Sequence, residues 1–146
     1  MSGETARTES GGPRPRVVVI NDDTPFLELM EALLEGEEGY DVEVRKDWNN
    51  AYEFVKGQNP DLVILDIVMG NEERGWSILN LLTLDPETRP IPVIVCSAAV
   101  QSLQQHAQML ERHGIRALPK PFDLEELLTA IQETLELRTV EGTSSS

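Results

Sequence analysis

Pro60-Asp61-Leu62-Val63-Ile64-Leu65-Asp66 decides the fold. Four consecutive branched apolar residues, entered after a proline and closed by an acid, have the length and composition of a strand buried on both faces, as strands of parallel sheets are. Two more strand ends carry chemistry. Val17-Val18-Val19-Ile20 runs into Asn21-Asp22-Asp23, and Ala117-Leu118-Pro119 runs into Lys120-Pro121-Phe122. Open α/β sheets bind ligands outside the carboxyl ends of their strands. One nucleophilic carboxylate, Asp66, an acidic cluster for a divalent cation and a lysine are therefore expected to converge, a combination suited to phosphoryl chemistry on Asp66.

Outward from this strand, helical and extended patterns alternate. Thr24-Pro25 reads as a cap and first-turn proline, and Phe26, Leu29, Met30, Leu33 and Leu34 form a stripe that stops at Gly36. Val42 and Val44 alternate with polar neighbours, as in a strand with one wetter face. Ala51, Phe54 and Val55 mark a short helix closed by Gly57 and Pro60, and Trp76, Ile78, Leu79 and Leu82 a longer one closed by Asp85-Pro86. Val93-Ile94-Val95-Cys96 is another buried strand, opening into Ser97-Ala98-Ala99. A Gln-rich helix with Leu103, Met109 and Leu110 ends at His113-Gly114. The last helix begins at Asp123, with Glu126 three residues on as in a capping box, and buries Leu124, Leu127, Leu128, Ile131 and Leu135. Five βα units predict an α/β fold, a doubly wound five-stranded parallel sheet with helices on both faces.

Composition excludes several classes. At 146 residues the chain has room for about one domain with a proper core. With 26 Asp and Glu against 12 Lys and Arg, the net charge of −14 opposes contact with phosphate backbones or anionic lipid. The expectation is no nucleic acid and no membrane as partner. A single cysteine, Cys96, excludes an intramolecular disulfide framework, and no apolar stretch reaches the length of a membrane span. A cytoplasmic module is the resulting expectation. Residues 1–15 are rich in Ser, Gly, Thr, Glu and Pro and read as a disordered N-terminal tail; residues 139–146 read as a flexible C-terminal tail, with the domain over 16–138 and no output domain after it.

The acidic cluster Asn21-Asp22-Asp23, the run ending at Asp66, Ser97-Ala98 and Lys120-Pro121-Phe122 stand in order, each at the end of its own strand. In this the chain resembles the receiver domain of the two-component response regulator family, here in stand-alone form, over roughly Arg16 to Leu137. The resemblance implies a flavodoxin-like sheet of order 2-1-3-4-5. It implies a phosphoacceptor signalling protein, not an enzyme, which takes a phosphoryl group from a histidine kinase or histidine phosphotransfer protein. Asp66 would be the nucleophile. Mg²⁺ or Mn²⁺ would be held by Asp22, Asp66 and the backbone carbonyl of Val68, with Asn21 acting through water. Lys120 would pair with a phosphoryl oxygen; its place before Pro121 suggests a constrained peptide, cis among the options, that aims it inward. Ser97 would bind the new phosphoryl group and draw its loop toward the site. The fourth helix, fifth strand and fifth helix would form the face offered to a downstream protein, with Gln101, Gln104, Gln105 and Gln108 on it.

Four positions depart from the family's usual pattern. Asn21 replaces the commoner first acid, which predicts weaker Mg²⁺ binding. Gly70 stands where a proline is frequent, Ser97 keeps the hydroxyl of the frequent threonine, and Ala117 takes the place of a switching Tyr or Phe. Other readings exist for single residues. Asp22 and Asp23 can cap the first helix, Ser97 the fourth, and Cys96 is a small core residue. His106 and His113 lack metal-ligand spacing and read as surface or helix-terminal. Trp48 and Trp76 read as packing at helix starts, Trp76 being the one near the Asp66 loop. For the whole chain, a phosphorylation-independent pseudo-receiver is supported only by Asn21 and Ala117. A haloacid-dehalogenase-type phosphatase would want an acid where Val68 stands, and a flavodoxin-type flavin site would not take the acidic loop after the first strand.

Overall fold

In the computed structural model, which describes residues 14–67 and 72–144, alternation along the strands divides the core in two. Val17 and Val19 face one layer, and Val18 and Ile20 the other. The elements run β1 (Arg16–Ile20), α1 (Thr24–Glu31), β2 (Asp41–Arg45), α2 (Ala51–Gln58), β3 (Leu62–Asp66), α3 (Glu72–Leu84), β4 (Val93–Ser97), α4 (Val100–Gln105), α5 (Ala107–Arg112), β5 (Arg116–Pro119) and α6 (Leu124–Ser144). All strand pairs are parallel, in the order β2-β1-β3-β4-β5. Leu27, Met30 and Leu34 after β1 pack with Leu127, Ala130 and Ile131 of α6 on one face. Val55, Leu79, Leu82, Leu103 and Leu110 cover the other. Every residue of β3 and β4 is buried, which accounts for their unbroken apolar runs.

Local chemistry sets the element ends. The N-cap of α1 is Asp23, not Thr24: its carboxylate accepts from Phe26 N at 3.2 Å, and Pro25 lies in the first turn. Beyond Glu31 the helix widens into a π-helical turn, Ala32–Glu37, instead of stopping at Gly36. That turn keeps Leu34 fully buried. Gly57 lies inside α2; the helix stops at Asn59, whose φ of 47° supplies the left-handed cap. The Glu126 carboxylate accepts from Asp123 N at 2.9 Å, as the capping-box reading requires. Tyr52 and Lys56 of α2 both bind Asp85, tying α2 to the exit of α3, and with the Glu87 amide they hold the Asp85 carboxyl down to about 2.

Two helices differ from the sequence reading. The fourth predicted helix is split at His106 (φ −103°, ψ 13°) into α4 and α5. His106 is helix-terminal, as read, and half-buried. Its ring stacks on Trp76 with centroids 3.8 Å apart, its Nδ1 lies 2.9 Å from Ser102 O, and Trp76 Nε1 donates to Ser102 Oγ at 2.7 Å. At the other end α6 continues as helix to Ser144, through most of the stretch read as a flexible tail. Adding residues to an existing helix is inexpensive, and 139–144 holds no proline to stop it. The expectations placed on residues 1–13, Val68, Gly70 and the last two serines lie outside the described residues.

Gly75 is where α3 meets the end of β3. A Cβ there would lie 2.7 Å from Ile67 O and 3.1 Å from Ile67 Cα, both backbone, and 3.0 Å from the Trp48 ring. Gly75→Ala gains roughly 1 kcal/mol of helix propensity. The clash outweighs it, because neither Ile67 nor α3 can retreat without shifting the strand end. A net loss of about 1–3 kcal/mol is expected, seen as a lower urea midpoint at unchanged m. An unchanged midpoint would show that α3 can move away freely.

Candidate functional site

The carboxyl ends of β1, β3, β4 and β5 define the site. Asp66 closes β3 and is 2% exposed. Its Oδ2 receives Lys120 Nζ at 2.8 Å, with the lysine side chain one-third exposed. This pair joins residues 54 apart in the sequence. The backbone of Lys120 is tied to the end of β4. Lys120 N donates to Ser97 O at 2.8 Å, and the Lys120–Pro121 peptide is cis. A buried carboxylate beside a cation is stable only as a pair; removing one partner strands the other.

Ser97 is fully buried at the end of β4, one residue beyond Cys96, the register partner of Asp66. Its Oγ accepts from Ala99 N at 3.0 Å, which leaves the hydroxyl proton to donate. Asn21, at the end of β1 and also buried, accepts from Asp23 N through Oδ1 at 2.8 Å. That bond turns the backbone so that Asp22 projects as an exposed residue, while Asp23 serves α1 as its cap. Of the two acids, Asp23 is thus absorbed structurally and Asp22 is not. Direct side-chain contact joins Asp66 to Lys120; Asn21 and Ser97 are bound to their own loops.

The donors at this edge suit one kind of cation. Among the described residues no group of three or more His, Cys, Asp or Glu converges, as a zinc-type site would require. Two carboxylates, Asp66 closing β3 and Asp22 two residues beyond the adjacent β1, are the donor type that suits a hard ion such as Mg²⁺, which keeps several waters. The Val68 carbonyl falls outside the described residues. Beside the pair opens a cleft of about 570 Å³, mostly apolar, walled by Asn21, Asp23, Phe26 and Leu29 on one side and by Ala98, Lys120, Pro121, Phe122 and Leu124 on the other.

One contact was not foreseen. Trp48, 5% exposed, donates from Nε1 to the backbone oxygen of Asp66 at 3.1 Å. The tryptophan that touches Asp66 is therefore Trp48, while Trp76 is engaged with Ser102 and His106. A large aromatic inside the polar loop Lys46-Asp47-Trp48-Asn49-Asn50 was the available signal, since a solvated turn has no use for one.

The sequence profile of the response regulator receiver domain matches residues 17–132, and the chain belongs to that family. The family is one of phosphoacceptor signalling domains in two-component systems, which generally use Mg²⁺. Among curated relatives, the DNA-binding dual master transcriptional regulator RpaA of Synechocystis sp. is 31% identical over 121 residues, 83% of this chain and 49% of that protein. The response regulator MprA of Mycolicibacterium vanbaalenii is 31% identical over 85% of this chain and 52% of its own length. The chain thus spans about half the length of these relatives. RpaA is named as DNA-binding, so the expectation of no nucleic-acid partner finds no support in kinship. Among solved structures, the signal receiver domain of a putative LuxO repressor protein from Vibrio parahaemolyticus has a TM-score of 0.76 at 23% identity, covering 91% of this chain and 98% of that one. The non-phosphorylated HemR receiver domain from Leptospira biflexa has a TM-score of 0.72 at 24% identity, covering 84% and 94%. Both agree with the fold. No helix among the described residues is long and apolar enough to cross a membrane.

Cys96 is a core residue: burial first, and the neighbouring Asp66 charge second, push its thiol up to about 12. Only the thiolate reacts with disulfide reagents. Native protein at about pH 8 should not react with Ellman's reagent, and unfolded protein should release one equivalent. Rapid labelling of the native state would mean that the β4 end opens.

Proposed function

We propose that this chain accepts a phosphoryl group on Asp66 from a phosphohistidine donor and signals the change by protein contact. The observation that carries the reading is the 2.8 Å pair between Lys120 and the buried strand-end carboxylate of Asp66, beside an open cleft. A carboxylate oxygen of Asp66 attacks phosphorus, the phosphorus–nitrogen bond of the donor breaks, and the imidazole leaves with the electron pair. Such transfers depend on alignment and charge neutralisation more than on acid–base help. Lys120 moves from the carboxylate to a phosphoryl oxygen as a point charge, and the Ser97 hydroxyl proton turns to another. Asp22 and Asp66 would hold the divalent cation, with Asn21 acting through water. When bound, the cation neutralises charge on the transferring oxygens.

Ser97 leads directly into α4, so its engagement with the phosphoryl group pulls on α4, α5 and β5. The glutamines Gln101, Gln104, Gln105 and Gln108 are all exposed on those helices, a polar uncharged surface suited to a downstream protein. Ala117 is half-buried and cannot act as an aromatic switch, which leaves loop and helix displacement as the signal.

Intact mass after incubation with Mg²⁺ and acetyl phosphate tests the reading. A gain of one phosphoryl group is expected, dependent on Mg²⁺ and abolished by Asp66→Ala. No gain would overturn it in favour of a phosphorylation-independent module. A second measurement addresses Asn21. One further unit charge about 4 Å from a doubly charged ion in a solvent-like dielectric contributes ~2 kcal/mol, so Asn21→Asp should tighten Mg²⁺ about thirtyfold by calorimetric titration. Unchanged affinity would remove Asn21 from the cation's surroundings.

A further inference from the structure

We infer that Trp48 is a positioning residue for phosphoryl transfer, acting through the backbone carbonyl of Asp66; this rests on Asp66 being the acceptor. Asp66 is held at two points. Lys120 binds its carboxylate at 2.8 Å, and the Trp48 indole binds its carbonyl at 3.1 Å. The direction of a Cα–Cβ bond is set by the peptides on either side. A strand-end peptide without its donor can rotate and carry the carboxylate with it. The Trp48 bond prevents this from the β1 side of β3, and Ile67 N, bound to Cys96 O at 3.1 Å, prevents it from the β4 side.

The indole is itself immobilised. Trp48 O accepts from Ala51 N at 2.9 Å, which fastens the residue to the start of α2. Its neighbour Asn49 accepts from Arg74 of α3 at 2.7 Å through Oδ1, and from Arg45 at the end of β2 at 2.6 Å through its carbonyl. The absent Cβ of Gly75 leaves room for the ring between α3 and the end of β3. A filler aromatic would not need its N–H directed at the one residue whose alignment the reaction depends on. For a reaction that depends on alignment, a misplacement of about 1 Å can cost on the order of a hundredfold in rate.

Trp48→Phe keeps the ring and removes the donor. Acetyl phosphate saturation curves with Mg²⁺, followed by intact mass, should show a maximal rate lower on the order of tenfold at an unchanged half-saturating concentration. A melting curve on the same protein reports its packing separately. An unchanged maximal rate, with or without a lower melting temperature, overturns the positioning role and leaves the Asp66 reading standing. Failure of the unaltered protein to take up phosphate overturns both, so the two failures are distinguishable. Should Trp48→Phe not fold, ¹⁵N-labelled Trp76→Phe protein leaves Trp48 as the sole indole resonance. Saturation with Mg²⁺ and beryllofluoride should displace that N–H signal. An unmoved signal overturns the inference.

Discussion

Burying the Asp66 carboxylate at the end of an all-parallel sheet is tolerable only if a cation is brought to it, and Lys120 is that cation. The architecture around the pair follows from this requirement. β5 must lie beside β4 for the lysine to arrive, and Lys120 must be held by Ser97 O for its side chain to turn inward. Ser97, Cys96 and Asp66 then share one edge in fixed register. The same negative charge helps to suppress Cys96, so a nucleophilic thiol next to the site stays protonated and inert. Chemistry at this edge is thereby confined to oxygen.

In the proposed reading the pair also gives the site two states. Lys120 is one-third exposed and bound to one carboxylate oxygen, so an arriving phosphoryl group would compete for it. Asp66 is far more enclosed than its partner. In the proposed transfer the lysine moves and the aspartate stays, which is the arrangement that in-line attack requires. The clamp on the Asp66 carbonyl has the same sense: it constrains the proposed nucleophile through its backbone and leaves the carboxylate to Lys120.

Much of this was legible in the sequence because it depends on periodicity and strand ends. The runs 17–20, 62–65 and 93–96 are buried on both faces and read as such. The Asp123–Glu126 box and the Leu stripe after it are local signals that the structure repeats. Tertiary contacts were not legible. The break at His106 depends on Trp76 lying under it, and Trp76 is 30 residues away on another helix. The assignment of the two acids after β1 also needed coordinates: both can cap, and only the Asn21–Asp23 hydrogen bond shows that Asp23 does so while Asp22 projects.

Trp48 illustrates the limit most clearly. Its neighbours are all loop-forming polar residues, and nothing within four positions indicates what the indole touches. Its partner is 18 residues on, and the space for its ring is made by a glycine 27 residues on. The three positions constrain one another. A larger residue at 75 would expel the ring, and without the ring the Asp66 carbonyl would need a different donor. A shift of α3 would also reach Asn49 through Arg74. The β2–α2 loop, which contributes no charged group to the cleft, is therefore part of the mechanical support of Asp66. A substitution there would be felt at the carboxylate before it was felt at the surface.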